Sequence, residues 1–575
     1  MTDAPSDGYS LPVYRNRSTP GEAHPRAPSP ESVRIVPLGG LGEVGMNCLA
    51  IEHGDDLLAI DCGVTFPDRT FGVDVAFARL DYLVRRRDRF RALIITHGHE
   101  DHIGAVPYLL REVAVPIYAP PYAMRLIEDR LAELPPPERP DLRPLHPARS
   151  FGVGSFEIEA YRVHHSIPDA MGLVLRTPVG TIVHTGDFKI EESPVEGQHF
   201  DRRVLERAAD QGVRLLLSDS TNIDSEGRSG AEEATAEALE ALVVDAPYRV
   251  VVTTFASNIH RLAALVEVAR RTRRRICLLG RSAQAHARIA EELGLLPEAS
   301  RLYVPPERAR RIPREELLVV ATGSQGEEAA ALSRLARDTH PELTLDRGDR
   351  VVFSSRVIPG SERTVLELEN LLEKRGIEIR HRKTDPKVHA SGHAYRDEQR
   401  EMLELVRPEA FLPVHGTYHH LAKHAAMARE LGIEETAIAE NGSIVELTRD
   451  RLAVVGQVET GRVHAYRGEI LPDDLLKDRR LLAELGIAFI AVPVSRDLRS
   501  FGRPRVVSRG FVGAADEDRL LDEAEEHVRR ELIQHRDDFD DAEDVRDRAA
   551  RSLKRFLGQR LSRKPLVTVV TVPHA

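Results

Sequence analysis

Ala92-Leu93-Ile94-Ile95-Thr96-His97-Gly98-His99-Glu100-Asp101-His102-Ile103-Gly104 is the stretch around which the chain is organised. Its first five residues form an apolar run closed by threonine, the pattern of a buried strand. Ile103 to Leu110 reads as the start of a helix. Three histidines and an aspartate therefore crowd one turn at the C-terminal end of a strand. Imidazole and carboxylate donors suit zinc or manganese and need no thiolate. His97 and His99, two positions apart, can reach one ion, while Asp101 and His102 project the other way and can reach a second. A merely polar surface turn would not need this spacing.

Outward from this turn, the same arrangement of apolar run and ligand-type residue recurs. Val33 to Leu38 is a strand followed by the glycine-rich Gly39 to Gly45. That turn lacks the G-x-G-x-x-G spacing and no helix follows it, so it does not read as a dinucleotide site. Cys48 to Ile51 and Leu57 to Ile60 pair about Gly54-Asp55, and the second strand ends in Asp61. Phe156 to Val163 alternates and runs into His164-His165. Adjacent residues beyond a strand point to opposite sides, so one of the two histidines faces the metals. Thr181 to Thr185 leads to Asp187, and Leu215 to Leu217 leads to Asp219.

Past Asp219, helical stretches near 231–242 and 258–271 alternate with strands at Arg249–Thr253, Arg275–Leu279, Glu316–Ala321 and Val351–Ser354. That alternation predicts a parallel α/β unit ending near Arg380 to Asp385. It interrupts the first unit, because ligand-type motifs resume behind it. His389-Ala390-Ser391-Gly392-His393 is a small-residue loop whose open backbone can hold a phosphate. Phe411 to Val414 is a strand ending in His415, placed as a last metal ligand.

The chain has 575 residues, which predicts about two to four domains. Hydrophobic residues make up 42% and charged residues 30%, a soluble composition, and no apolar run approaches the ~20 residues of a membrane helix. No secretory leader is apparent, and Cys48, Cys62 and Cys277 are odd in number and unspaced for metal, so a cytoplasmic protein without disulfides is expected. A net charge of −11 excludes a protein that coats nucleic acid through bulk charge. Any nucleic-acid contact must be a local basic channel, and the basic residues are mostly arginine.

His97-x-His99-x-Asp101-His102 after a strand resembles the signature of the metallo-β-lactamase superfamily. Asp219 after Asp187, the Ser391-Gly392-His393 loop and the Pro413-Val414-His415-Gly416 strand end resemble its β-CASP nuclease branch. Within that branch the chain most resembles the bacterial ribonuclease J family. Gly39–Gly45, His165–Gly172, Ser218–Asn222, Thr254–Arg261, Ala321–Glu327, Phe353–Ser355 and Ile358–Gly360 carry the likeness over about 33 to 450. Thr417-Tyr418-His419 departs from it, standing where an acidic residue is common.

The resemblance implies an α/β fold: an αββα metallo-β-lactamase domain, an inserted parallel α/β β-CASP domain, and a small α/β C-terminal domain. The expected division is a disordered tail 1–32, the first part of the hydrolase 33–216, the insert 217–385, the second part 386–452, a connector 453–467 and a C-terminal module 468–575. It implies two divalent ions, zinc with manganese as the alternative. His97, His99 and His165 would hold one, Asp101, His102 and His415 the other, with Asp187 bridging and His164 structural. Asp61 would hold the metal turn or a histidine rather than bind metal. Asp219 is expected among the catalytic residues. His393 would stabilise phosphoryl oxygens or protonate the leaving oxygen, and His389, Ala390, Ser391, Gly392 and His393 would hold substrate phosphate. The implied activity is 5′-to-3′ exoribonuclease with some endonuclease action, in mRNA decay and rRNA maturation. The implied partners are single-stranded RNA with a 5′-monophosphate, further copies of the chain in a homodimer or homotetramer, and RNA-decay proteins, with no membrane. Other readings are a different β-CASP nuclease, acting at RNA 3′ ends or in DNA repair, and a catalytically silent RNA-binding scaffold. A scaffold would be expected to have lost ligands, and the DNA-repair branch usually lacks the histidine at 415.

Overall fold

The computed structural model describes residues 27–574, apart from 68–70, 133–138, 193, 195–196, 297–298, 359, 514–516 and 562–563. The tail expected over 1–32 lies outside the described residues up to 26. Residues 27–32 close onto the first sheet, where His53 Nε2 donates to the Pro30 carbonyl at 3.0 Å and Ser32 is buried.

Two sheets stack face to face. The first has eight strands, in the order Leu452–Gln457, Ser443–Leu447, Val33–Gly39, Cys48–His53, Asp56–Ile60, Phe90–Ile94, Ile117–Ala119 and Leu142–Pro144. The second has seven, in the order Ser150–Val153, Phe156–Arg162, Met171–Thr177, Gly180–His184, Val213–Asp219, Ala410–Val414 and Glu435–Thr436. The period of two along each strand decides what each face meets. Leu215 and Leu217 enter the core between the sheets with Ile35, Ile51, Leu58, Ile94, Leu173 and Leu412. Leu216, Val174, Val183 and Phe411 point the other way, onto the helices Arg202–Gln211, Arg396–Val406 and Tyr418–Glu430. On the first sheet, Val106–Glu112 and Pro121–Leu131 join successive parallel strands. Such crossovers lay their helices on a sheet face, and only the outer one is open. The result is the four-layer αββα arrangement.

The inserted unit is a fully parallel five-stranded sheet, ordered Arg275–Leu279, Leu317–Ala321, Val250–Thr253, Arg350–Phe353 and Glu378–Arg380. Val-rich strands buried on both faces are what a parallel sheet between helices requires.

A second compact unit contains residues 65–77 and 461–575. Its three-stranded sheet, Arg505–Arg509, Ile487–Val494 and Leu566–Pro573, packs Ile490, Val492 and Val506 against Val528 and Leu532 of Glu517–Gln534 and Leu553 of Ala542–Arg560. Two features differ from the sequence reading. Residues 453–467, within which the two compact units divide, are largely strand: they carry most of the edge strand Leu452–Gln457 and the strand Arg462–Tyr466, whose hairpin partner is Glu469–Leu471. Val454 and Val455 are exposed on that edge, so no inward-outward alternation marked it. The segment 65–77 joins the C-terminal unit, where Asp74 N donates to the Ala465 carbonyl.

Candidate metal centre

The ligand-type residues gather where strands of the two stacked sheets end. Phe90–Ile94 leads to His97, Gly180–His184 to Asp187, Val213 to Asp219, and Ala410–Val414 to His415. Inside the turn, a short helix, Glu100–Ile103, starts after His99 and carries Asp101 and His102, whose ring lies 3.9 Å from that of His97 between centroids. The residues after Asp61 strap this turn: Cys62 N donates to the His102 carbonyl at 2.8 Å, and a Cβ at Gly63 would overlap the Asp101 carbonyl.

His97, His99 and His165 form one cluster. His97 Nε2 and His165 Nε2 each stand 3.0 Å from His99 Nδ1. Burial drives His97 and His165 well below the usual imidazole range and holds His99 down to about 4. Three neutral rings therefore turn nitrogens toward one point, and a cation there would satisfy all three. Their remaining nitrogens are taken. His165 Nδ1 donates to the Gly392 carbonyl at 2.6 Å, His97 Nδ1 meets Thr96 Oγ1 at 3.0 Å, and His99 Nε2 meets Ser257 Oγ at 3.1 Å.

Asp101, His102, Asp187 and His415 form a second cluster. Asp187 Oδ2 lies 3.2 Å from His102 Nε2, 3.9 Å from His415 Nε2 and 3.8 Å from both His97 Nε2 and His165 Nε2, so one oxygen reaches both sets. Asp101 Oδ2 is 3.5 Å from His415 Nε2, a buried nitrogen with no hydrogen-bond partner among the described residues. Against the cost of burial, Asp187, Asp101 and Asp61 hold His102 well above its usual range, and Asp187 does the same for His415. Burial likewise opposes the ionised carboxylates, yet the facing histidines keep Asp101 and Asp187 below their usual range. These shifts favour protonated His102 and His415 beside ionised Asp101 and Asp187, a charge balance that a bound cation would replace. The donors fit divalent metal in both clusters.

Metal uptake should therefore release protons unequally. Filling the second cluster displaces about two protons, from His102 and His415, near pH 7, whereas filling the first displaces about none. Titration calorimetry in buffers of different ionisation enthalpy reads both numbers. Equal release from the two sites would contradict this electrostatic account.

Asp61 sits behind the second cluster. Its carboxylate accepts from Thr96 N and Thr96 Oγ1, each at 2.8 Å, and from His102 Nδ1 at 2.8 Å. This fixes which His102 nitrogen faces Asp187. His164 is turned away: Nε2 donates to the Gln198 carbonyl and Nδ1 accepts from Glu191 N.

His393 is half-buried, and its Nδ1 donates to Asp219 Oδ2 at 2.8 Å while lying 3.9 Å from Asp187 Oδ2. Burial opposes its proton, but Asp219 raises His393 above the ordinary imidazole value. These groups and His415 make a third donor set that overlaps the second.

The small-residue loop differs from the open cradle expected. Ala390, Ser391 and Gly392 are buried. Ser391 N donates to the Ser229 carbonyl and His393 N to Ser391 Oγ. Small side chains here serve close packing, since a Cβ on Gly392 would crowd His165 Cε1 and Ser166 Oγ. His389 is held down to about 3, by burial and then by Arg261, so it can offer a hydrogen bond but no charge near neutral pH.

Three polar partners were given no role by the sequence, although Thr221 and Ser257 lie in stretches that carry the family likeness. Asn47 Nδ2 donates to Asp101 Oδ2 at 3.3 Å and stands 3.0 Å from His102 Nε2. Thr221 Oγ1 donates to Asp219 Oδ1 at 2.6 Å and accepts from His415 Nδ1 at 2.6 Å. Ser257 reaches His99 from the inserted unit.

With this geometry in view, the likeness to known proteins is direct. Residues 41–218 match the metallo-beta-lactamase superfamily, 247–372 the ribonuclease J beta-CASP domain, 376–438 a Zn-dependent metallo-hydrolase RNA specificity domain, and 474–574 the ribonuclease J C-terminal domain. Ribonuclease J of Thermus thermophilus is 37% identical over 555 residues, covering 94% of this chain and 95% of that protein. The chain belongs to the ribonuclease J family. Another member, ribonuclease J 1 of Streptococcus pyogenes, is 34% identical over 94% of this chain and 97% of its own length. Ribonuclease J of Synechocystis is 37% identical over 84% of this chain and 76% of its own. A solved structure of a protein of unknown function from Enterococcus faecalis V583 shares the fold, with a TM-score of 0.52 at 16% identity over 72% of this chain and 100% of that one.

Proposed function

We propose that this chain is a 5′-to-3′ exoribonuclease with some endonuclease activity, acting on single-stranded RNA with two divalent ions, zinc with manganese as the alternative. Membership of the ribonuclease J family makes it a metal-dependent ribonuclease. The observation that carries the reading is the convergence of His97, His99, His165, Asp101, His102, Asp187 and His415 at one edge of the stacked sheets. An intact donor set also disfavours a silent scaffold. The three cysteines are free and buried, which supports a reducing, cytoplasmic setting. Among the described residues no helix is long and apolar enough to cross a membrane.

Cleaving a phosphodiester needs a nucleophile at neutral pH and neutralisation of phosphate charge, and divalent metal supplies both when bound. His97, His99 and His165 would hold one ion, Asp101, His102 and His415 the other, with Asp187 shared. Asp61 fixes His102, and Thr221 fixes His415 and Asp219. His393 Nδ1 is tied to Asp219, which leaves its Nε2 to donate to a phosphoryl oxygen or to the leaving oxygen. The Gly392 carbonyl is bonded to His165, so a terminal phosphate held against His389 and His393 would stand a short, fixed distance from the centre. The scissile bond would then always lie near the 5′ end, and mononucleotides result.

The test uses one internally labelled RNA carrying a 5′-monophosphate, triphosphate or hydroxyl. The monophosphate should be degraded fastest, because a hydroxyl leaves the His389 and His393 side-chain donors unpaired, costing roughly 1–3 kcal/mol, and a triphosphate overfills the site. Because the chain is acidic overall, rates should fall with salt less steeply than for a basic nonspecific binder. Equal rates on all three ends, with long internal fragments, would contradict the exonuclease reading.

A further inference from the structure

The stretch Thr254-Phe255-Ala256-Ser257-Asn258-Ile259-His260-Arg261 contains no residue of either metal cluster, yet it touches the centre. It leaves the C-terminal end of the strand Val250–Thr253 in the inserted sheet. From there Ser257 Oγ comes within 3.1 Å of His99 Nε2. His99 turns Nδ1 to His97 and His165, so with a cation there Nε2 carries the proton and donates it to Ser257.

The serine is held in place. Asn258 caps the following helix, its side chain accepting from Arg261 N at 2.9 Å. The Arg261 side chain is fully buried, bonded to Glu232 at 2.9 Å, to Ser354 and to the Val388 carbonyl at 3.2 Å. Val388 opens the loop whose Gly392 carbonyl receives His165. One buried guanidinium therefore braces the segments that carry both outer partners, that of His99 and that of His165. The inserted unit is also seated on the hydrolase beside the metal turn. Tyr122 OH donates to His286 Nδ1 at 2.8 Å, Arg125 pairs with Glu292 at 2.8 Å, and Arg288 pairs with Asp129.

We propose that Ser257 is a positioning residue of the metal centre: the inserted domain supplies the hydrogen-bond acceptor that orients His99 and sets the metal affinity of the first cluster. This rests on His99 being a ligand. A hydroxyl on a braced loop selects the tautomer and ring angle of the histidine it faces, and loss of such a partner costs ~10–100-fold in metal affinity. The second cluster has its own outer partners, Asp61 and Thr221, and should not respond.

The experiment titrates zinc ion into the metal-stripped full chain against a chromophoric chelator, for the wild type, Ser257→Ala and Ser257→Thr. The expected result is two sites in the wild type, one of them weakened about 10–100-fold by Ser257→Ala and restored by Ser257→Thr, the other unchanged. A general packing defect would weaken both sites or neither, and threonine would not rescue it. Two wild-type-like sites in Ser257→Ala would overturn the role of Ser257. A wild type that binds no zinc would overturn the centre itself, and this inference with it.

Discussion

Asp187→Asn will lower kcat by roughly a thousandfold or more and leave the chain folded. Asparagine keeps the shape of the side chain and removes the charge. The position within 3.2–3.9 Å of His102, His97, His165 and His415 then holds at best a neutral amide oxygen, so both clusters lose the charge of their common donor. Elemental analysis should show less than the wild-type metal content, and circular dichroism should show the wild-type fold. His97→Ala will abolish hydrolysis as well, but it is the poorer test. His97 is fully buried rather than a surface ligand, so its removal also opens a cavity that costs stability. Wild-type turnover by Asp187→Asn would remove the shared carboxylate from the mechanism.

His393→Ala will slow turnover by about 10²–10⁴-fold with little change in metal content. Its Nδ1 is committed to Asp219, and its ring is only half-buried. This separates a proton or hydrogen-bond donor from a ligand. The overlapping set of Asp187, Asp219, His393 and His415 makes the distinction worth measuring. If metal falls in step with activity, His393 is a ligand and the donor role is wrong. Asp219→Asn should resemble His393→Ala more than Asp187→Asn, because Asp219 acts through His393 and Thr221.

What the sequence made legible follows from what each residue needs nearby. The metal turn was readable because four ligand-type side chains lie within six residues, behind an apolar run that can only be a strand. The inserted sheet was readable because Val250–Thr253, Leu317–Ala321 and Arg350–Phe353 are short apolar runs spaced by helices. The edge strand Leu452–Gln457 was missed because it is largely exposed. Ser257 and Thr221 were missed because a hydroxyl is no ligand type, and each acts on a histidine far along the chain, 158 and 194 positions away. The loop from His389 to His393 lies beside the centre, as its histidines suggest, but its small residues also let the backbone press against His165, a packing need that small side chains alone do not reveal.

The central claim is that two ions sit side by side, one among His97, His99 and His165 and one among Asp101, His102 and His415, with Asp187 between them. Anomalous diffraction at the zinc edge, from crystals of the full chain grown with zinc, tests it most directly. Two peaks ~3.5–4 Å apart are expected, one in each set, with Asp187 contacting both. A single peak, or a second peak bound by His393 and Asp219 in place of Asp101 and His102, would contradict it.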